Sequence, residues 1–322
     1  MAENTQDATP EEEREPKRYP FLIDVLIRLV KEKPLGTVGG VIVLVLLIVG
    51  IFADLLAPYG FNEIILADRL GAPSPKHLLG ADNLGRDLLS RIIFGARISM
   101  YVGLGGSTLD AIVATLIGII SGFFGGKTDI IIQRFVDAWM CFPSLFLFLT
   151  VMAILGPGLG QVILILGIHG GIRSSRVVRS AVIGIKENIY FTAAKAIGSP
   201  RRRILWRTVL PNIMAPVLIV FSTQVPSAIL TEAGLSFLGF GIPPPEPSWG
   251  GMLSGSGRSY MFLAPWMAIW PGLAITIVVY GINMFGAAVR DLLDPRLRGS
   301  LGGYSGTTKK ISKRIKKAVQ TN

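Results

Sequence analysis

The stretch that comes nearest to a nucleotide-binding motif is Gly-Gly-Lys-Thr at residues 125–128. A phosphate-binding loop needs a glycine five residues before its second glycine, and with Gly126 as the second glycine that position holds Ser121. The stretch also follows an apolar run, whereas a phosphate-binding loop follows a strand. We therefore interpret residues 125–128 as a turn that carries Lys127, and we predict no nucleotide site in this chain.

Two acidic residues, Asp110 and Glu232, lie in or at the end of apolar runs, where an ionisable side chain is costly and is a functional candidate by default. Asp110 falls near the middle of its run. It could meet a cationic group or a metal ion in a path through a membrane, and it could equally cap or pair with a neighbouring helix. Glu232 is a candidate gate residue. His169 stands beside two glycines, a setting more typical of a packed histidine than of a ligand.

The other reactive side chains are too few to form a catalytic or metal site. Cys141 is the only cysteine, which excludes a disulfide within the chain and a cysteine metal site. The two histidines, His77 and His169, are far apart in sequence. We therefore predict no cofactor, no metal and no covalent chemistry.

The elements that hold these residues are predicted to be membrane helices. Half of the 322 residues are apolar and the mean hydropathy is +0.54, which is too high for a soluble domain of this length. Apolar runs of about 18 or more residues predict spanning helices. We predict an all-α, multi-pass membrane protein with six spans, at 36–57, 99–124, 137–156, 159–180, 212–231 and 266–289.

The placement of the basic residues predicts the orientation. With six spans and the amino terminus inside, the cytoplasmic segments hold 26 of the 32 Lys and Arg residues, namely segments 1–35, 125–136, 173–211 and 290–322. Because lysine and arginine collect on the cytoplasmic side, both termini are predicted to be cytoplasmic. These charges flank spans without an interleaved aromatic platform, so they indicate membrane lipids as a partner, above all for residues 309–317, and no nucleic acid.

Residues 190–211, here called the basic segment, lie between two apolar runs. Ala193 and Ala194 are small and favour helix, so a partner surface can approach closely. Gly198 followed by Ser199 and Pro200 ends that helix, because glycine suits a left-handed cap and proline suits the first turn of a helix. The sequence predicts a short helix, a sharp turn and a second short helix that begins with three arginines, a shape suited to docking.

The basic segment resembles the cytoplasmic coupling loop, the EAA loop, of ABC-importer permeases. Thr192 stands where that loop usually has Glu, and Thr208 where it usually has Ile. Five residues match in place or follow at the expected distance: Ala193, Ala194, Gly198, Leu210 and Pro211. The resemblance implies that these residues and Thr192 couple the chain to an ATPase.

Other motifs are similar to the C-type permease subunit of the dipeptide, oligopeptide and nickel importers. They are His77 to Ile98, Leu235 to Gly241 with the proline-rich residues 242–251, and Arg290 to Arg298. The resemblance covers about residues 20–298 and implies the type I permease fold. The expected divisions are a cytoplasmic segment 1–34, a first helix with external loop 35–97, a core 98–289 that contains the coupling loop 186–211, and a basic tail 290–322.

This resemblance also implies the partners and the mechanism. A second permease would complete the path, two ATPase subunits would hydrolyse ATP below the inner membrane, and an external solute-binding protein would deliver cargo, with Glu232 as a possible contact. Family members carry dipeptides, oligopeptides, glutathione or nickel. The resemblance favours di- or oligopeptides as the cargo, and the sequence itself does not identify it. Transport would proceed by alternating access, and the chain itself would not be an enzyme.

Three rival functions are less well supported. A self-sufficient secondary transporter or channel predicts inverted repeats and several charged or broken helices, and the sequence has no internal repeat. A membrane enzyme needs a cluster of reactive side chains, which the sequence does not show. A structural scaffold leaves the basic segment unexplained.

Overall fold

A computed structural model describes residues 29–293, which form helices and one isolated bridge between Ala81 and Asp87. The helices are α1 (Pro34–Ile51), α2 (Leu88–Phe124), α3 (Gly126–Met140), α4 (Ser144–Leu155), α5 (Leu159–Lys186), α6 (Ile189–Ala196), α7 (Leu210–Phe237), α8 (Trp249–Leu253) and α9 (Trp266–Leu293). Shorter turns of helix lie at Ala53–Leu56, Leu66–Asp68, Arg201–Ile204, Leu205–Val209 and Gly255–Ser259. Both termini, including residues 309–317, lie outside the described residues, so their cytoplasmic location stays a prediction.

The predicted all-α membrane architecture is confirmed, but the count of six spans is not. Within residues 29–293, four helices are long and apolar enough to cross a membrane, and a fifth span results if the bent pair α3 and α4 is counted as one. The four are Pro34–Ile51, Leu88–Phe124, Arg201–Phe237 and Trp266–Leu292. Helix α5 is long enough, but Arg173, Arg176 and Arg179 in its second half lower its hydropathy.

The apolar run predicted as one span at 137–156 is broken into two helices. Helices α3 and α4 meet at an angle of 86° around Cys141 and Phe142. Pro143 explains the break, because it cannot donate a backbone hydrogen bond and disfavours helical geometry at the residue before it. Hydropathy alone does not detect such a bend, because the run stays apolar throughout.

The span that contains α7 begins earlier than the predicted 212–231, because the chain is helical from Arg201 to Phe237. The turn Leu205–Val209 is a π turn, in which the Leu210 backbone N–H donates to the Leu205 carbonyl. Pro211 has no N–H to donate, and the wider turn accommodates its ring without ending the helix. The second helix of the basic segment is therefore continuous with a membrane span.

Close packing of α2 against α5 depends on glycine in both helices. A Cβ atom on Gly118 would lie 2.7 Å from the Val178 Cβ, and one on Gly171 would lie 2.5 Å from the Val113 Cβ. Each glycine has a second glycine four residues away on the same face, Gly122 and Gly167. Gly118 and Gly122 therefore allow α2 to approach α5 closely.

The segment between α1 and α2 is held by polar contacts around His77. The buried His77 ring lies between two carboxylates, with Nδ1 2.9 Å from Asp87 Oδ1 and Nε2 3.2 Å from Asp68 Oδ2. Lys76 also donates to Asp68, and this hydrogen bond holds the pKa of the Asp68 carboxyl below its usual range. Asp87 caps α2 by accepting from the Ser90 N–H, which explains why α2 begins at Leu88.

Candidate functional site

The basic segment has the local structure that the sequence predicts. Helix α6 is followed by Gly198 with φ of +73°, and a second helix begins at Arg201. The Ser199 N–H donates to the Ala194 carbonyl across the turn, and Pro200 stands before the first turn of the second helix. Pro211 is exposed and Thr192 lies on α6, whereas Leu210 is half-buried against the core.

Helix α6 has two different faces. Phe191 and Ala194 pack against an internal cluster that contains Val182 and Ile213. The opposite face is exposed: Ile189 is 87% exposed and Ile197 is 81% exposed, with Ala193 and Ala196 between them. Both Ala193 and Ala194 were predicted to contact a partner, and the structure separates them, since only Ala193 lies on the outer face.

The inner face of α6 contacts the end of α2. The Phe191 ring meets the Phe123 ring edge to face, with the centroids 6.4 Å apart. At the end of α5, the Lys186 ammonium donates to the Gly122 and Phe123 carbonyls at 3.0 and 3.2 Å. Helix α6 and the end of α5 are therefore both in contact with the end of α2.

The turn at residues 125–128 is fixed by a charged network and does not resemble a phosphate-binding loop. Gly125 and Gly126 both have positive φ, and Lys127 is exposed. Arg179 of α5 donates two hydrogen bonds to the Asp129 carboxylate at 2.6 and 2.5 Å. This pair connects the first turn of α3 to α5.

Asp110 is buried at a polar cavity between α2, α4, α5 and α7, here called the central cavity, which has a volume of about 130 Å³. The Gln224 side-chain N–H donates to Asp110 Oδ2 at 2.5 Å, and the carboxylate lies so close to Gly170 that a Cβ there would overlap it. Asp110 Oδ1 has no hydrogen-bond partner among residues 29–293. Arg173 of α5 also lines this cavity.

His169 packs against neighbouring helices, as the sequence predicts. The Trp139 indole N–H donates to Nδ1 at 3.1 Å, and Nε2 lies 2.9 Å from Ser144 Oγ. The Phe148 ring meets the imidazole edge to face. His169 therefore ties both halves of the bent α3–α4 pair to α5.

Glu232 is buried near the end of α7, below the proline-rich residues 242–251. The Ser236 hydroxyl donates to Glu232 Oε1 at 2.6 Å, and Ser236 Oγ accepts from the Ile242 N–H at 3.0 Å. The Trp249 indole N–H donates to the Ile92 carbonyl of α2 at 3.1 Å. Glu232 thus belongs to the contacts that hold this segment over the helix ends, and its role as a gate stays a prediction.

Two models of known protein families match the chain. Residues 114–299 match the model for the binding-protein-dependent transport system inner membrane component. Residues 21–73 match the N-terminal TM domain of oligopeptide transport permease C. The chain therefore belongs to the binding-protein-dependent transport family. It is an inner-membrane permease subunit of an ATP-driven importer.

Several permeases of other bacteria are similar over most of the chain. The dipeptide transport system permease protein of Alkalihalophilus pseudofirmus is 39% identical over 83% of this chain and 88% of its own length. The oligopeptide transport system permease protein of Bacillus subtilis is 37% identical over 85% of this chain and 90% of its own length. The glutathione transport system permease protein of Pectobacterium atrosepticum is 38% identical over 81% of this chain and 86% of its own length.

A solved structure of the MetNI methionine ABC transporter has a similar fold. Its TM-score with this permease is 0.51, at 14% sequence identity, and the match covers 63% of this chain and 96% of that chain. At this identity the similarity concerns the fold alone. It agrees with the type I importer fold that the sequence resemblance implies.

Two residues of the central cavity, Arg173 and Gln224, were not predicted from the sequence as site residues. Both lie within apolar runs, where a polar side chain is unusual. The sequence could therefore have identified each of them as a candidate site residue. Their proximity to Asp110 was not readable from the sequence, because Gln224 is 114 positions away along the chain.

Proposed function

We propose that this permease imports di- or oligopeptides and that α6 couples it to ATPase subunits. The cargo proposal is supported by the names of relatives that are 37–39% identical over most of the chain, a dipeptide and an oligopeptide permease. A similar glutathione permease belongs to the same chemical class, since glutathione is itself a peptide. ATP hydrolysis belongs to the partner subunits.

The observation that carries the coupling proposal is the exposed face of α6. A large apolar side chain that is free in water is costly, and Ile189 and Ile197, at the two ends of this face, are 87% and 81% exposed. Ala193 and Ala196 lie on the same face and let a partner approach closely. The residues around it, Arg201, Arg202 and Arg203, are exposed and basic, so this surface is at the membrane–cytoplasm boundary and faces water or protein rather than lipid tails.

The inner face of α6 supplies the route from the ATPase into the bundle. When the ATPase dimer closes, it moves α6, and α6 moves the end of α2 through Phe191 and Phe123. Helix α2 also carries Asp110, so the same rigid helix connects the coupling surface to the central cavity. A second permease completes the translocation path, and a solute-binding protein delivers cargo from outside.

Site-specific crosslinking of the assembled importer tests this proposal. A photo-crosslinking amino acid at Ala196, on the exposed face of α6, should form a covalent adduct with the ATPase subunit. The same amino acid at Phe146, which is 69% exposed on α4, is the matched control and should form none. No adduct from Ala196, in a complex that still contains the ATPase, would contradict docking through α6.

A further inference from the structure

Two residues that line the central cavity, Asp110 and Ser107, each have a buried polar atom without a partner. Neither Asp110 Oδ1 nor Ser107 Oγ has a hydrogen-bond partner among residues 29–293. Both side chains are almost fully buried, at 2% and 1% exposure. Buried polar atoms are normally paired, and an unpaired carboxylate oxygen is the costliest kind to leave, so this pair indicates a site for a hydrogen-bond donor.

The cavity is large enough for more than a water molecule. Its volume is about 130 Å³, against the roughly 10–15 Å³ that one water needs. Ser227, at its edge on α7, is exposed, so the cavity is reachable from outside the protein. A charged group with several atoms attached can therefore enter it.

Arg173 supplies the opposite charge at the same cavity. Of the three arginines in the second half of α5, Arg176 pairs with Asp137 and Arg179 pairs with Asp129. Arg173 lines the cavity and has no carboxylate within ion-pair distance among the residues that the structure describes. The Asp110 carboxylate lies against Gly170 of α5. Arg173 lies three positions after Gly170, which is a rise of about 4.5 Å along the helix.

We propose that the central cavity is a subsite for a short zwitterionic peptide as it crosses the membrane. The Asp110 carboxylate and the Ser107 hydroxyl accept hydrogen bonds from its ammonium group, and Arg173 donates to its carboxylate. This inference rests on the proposed import of peptides and adds the groups that recognise the cargo within the permease.

A metal ion fits the same cavity poorly. His169 lines it, but both ring nitrogens already face partners, Trp139 and Ser144. The carboxylate of Asp110 is then the only anionic ligand in the lining, and the positive charge of Arg173 opposes a second cation. An ammonium group that is covalently joined to a carboxylate avoids this repulsion, because the two charges of the cargo match those of the site.

The test measures protection of a cavity-edge thiol in the assembled importer. In a Cys141→Ser background, Ser227→Cys is labelled with N-ethylmaleimide, a neutral reagent whose approach does not depend on the charge of the site. L-alanyl-L-alanine should slow the labelling, and its N-acetyl and C-amide derivatives should require about tenfold to a hundredfold higher concentrations, because each lacks one charge-assisted contact. Equal protection by the dipeptide and both derivatives would overturn the proposal.

Charge-neutralising variants test separately the contact of Asp110 with the ammonium group and the contact of Arg173 with the carboxylate. Asp110→Asn keeps an acceptor for Gln224 and should remove the preference for the free ammonium group over the N-acetyl derivative. Arg173→Gln, at an exposed position where folding is not at stake, should remove the preference for the free carboxylate, and Arg173→Lys should restore part of it. The control Arg134→Gln neutralises an exposed arginine outside the cavity lining and should change neither preference. If Arg173→Gln leaves the carboxylate preference intact, the proposed subsite is wrong.

Uptake and thiol protection, measured together, distinguish failure of the subsite proposal from failure of the proposed function. If the importer takes up dipeptide but the thiol is not protected, the permease function stands and the subsite fails. If the assembled importer takes up no peptide while the thiol is protected only by another class of solute, both proposals fail.

Discussion

The Phe191 ring of α6 meets the Phe123 ring at the end of α2 edge to face, with their centroids 6.4 Å apart. This contact joins the short helix proposed to dock on the ATPase to the 37-residue helix α2. An edge-to-face pair contributes about 0.5–1.5 kcal/mol beyond the area that it buries.

Removal of this ring should uncouple ATP hydrolysis from transport. In Phe191→Ala the outer face of α6 is unchanged, so the ATPase should still bind and hydrolyse ATP. The number of peptides imported per ATP should fall several-fold, because α6 no longer acts on Phe123. The measurement is uptake and phosphate release in the same proteoliposomes. Phe146→Ala, which removes an exposed ring on α4, is the control, and an unchanged ratio in Phe191→Ala would refute the route.

The turn after α6 should depend on glycine. Gly198 has φ of +73°, which a β-branched residue adopts at a cost of about 1–2 kcal/mol. No other group lies within 4 Å of the place that a Cβ atom would take at this position, so the effect of Gly198→Val is conformational rather than steric. Uptake should fall in Gly198→Val and be largely retained in Gly198→Asn, because asparagine tolerates this conformation. Equal uptake by the two variants would show that the turn does not matter.

The thermal stability of the permease should depend on the close packing of α2 against α5 at Gly118. In Gly118→Val the new side chain meets Val178 and the Ser175 carbonyl, and overpacking of this kind costs about 1–3 kcal/mol. The melting temperature of the detergent-solubilised permease should therefore fall. Gly184→Val, on the exposed side of α5 with no atom within 4 Å of its Cβ, controls for the change in helix propensity and should melt near the wild-type temperature.

The orientation predicted from charge can be tested at exposed positions. In a Cys141→Ser background, Thr128→Cys and Ala196→Cys should resist an impermeant thiol reagent in intact cells, whereas Ala72→Cys and Phe262→Cys should react. Phe262 is 95% exposed, so a failure to react cannot be attributed to burial. Reaction of Ala196→Cys from outside would reverse the predicted orientation.

The sequence predicted the helices better than their breaks and pairings. The spans at α1, α7 and α9 follow from long apolar runs, and the turn at Gly198 follows from glycine and proline chemistry. The bend at Pro143 was missed because the run around it remains apolar. The short helix at Arg201 was predicted, but its continuity with α7 was missed because a basic helix can continue into a span.

At the site, the sequence identified Asp110 and Glu232 but not their surroundings. Gln224 and Arg173 reach the cavity around Asp110 from distant parts of the chain, and no local pattern specifies that arrangement. The assignment of Ala193 to the outer face and Ala194 to the inner face depends on how Phe191 packs, which tertiary contacts decide. The divisions at residues 34, 97 and 289 stay predictions.

Uptake by the assembled importer that carries Ala193→Trp tests the central claim most directly. Ala193 is exposed on the face of α6 proposed to enter the ATPase, so a tryptophan there points away from the permease core. Peptide uptake should fall at least about tenfold, the equivalent of about 1.4 kcal/mol of lost coupling, while membrane levels of the permease stay normal and Ala193→Ser transports like the wild type. Normal uptake and normal peptide-stimulated ATP hydrolysis in Ala193→Trp would contradict the account.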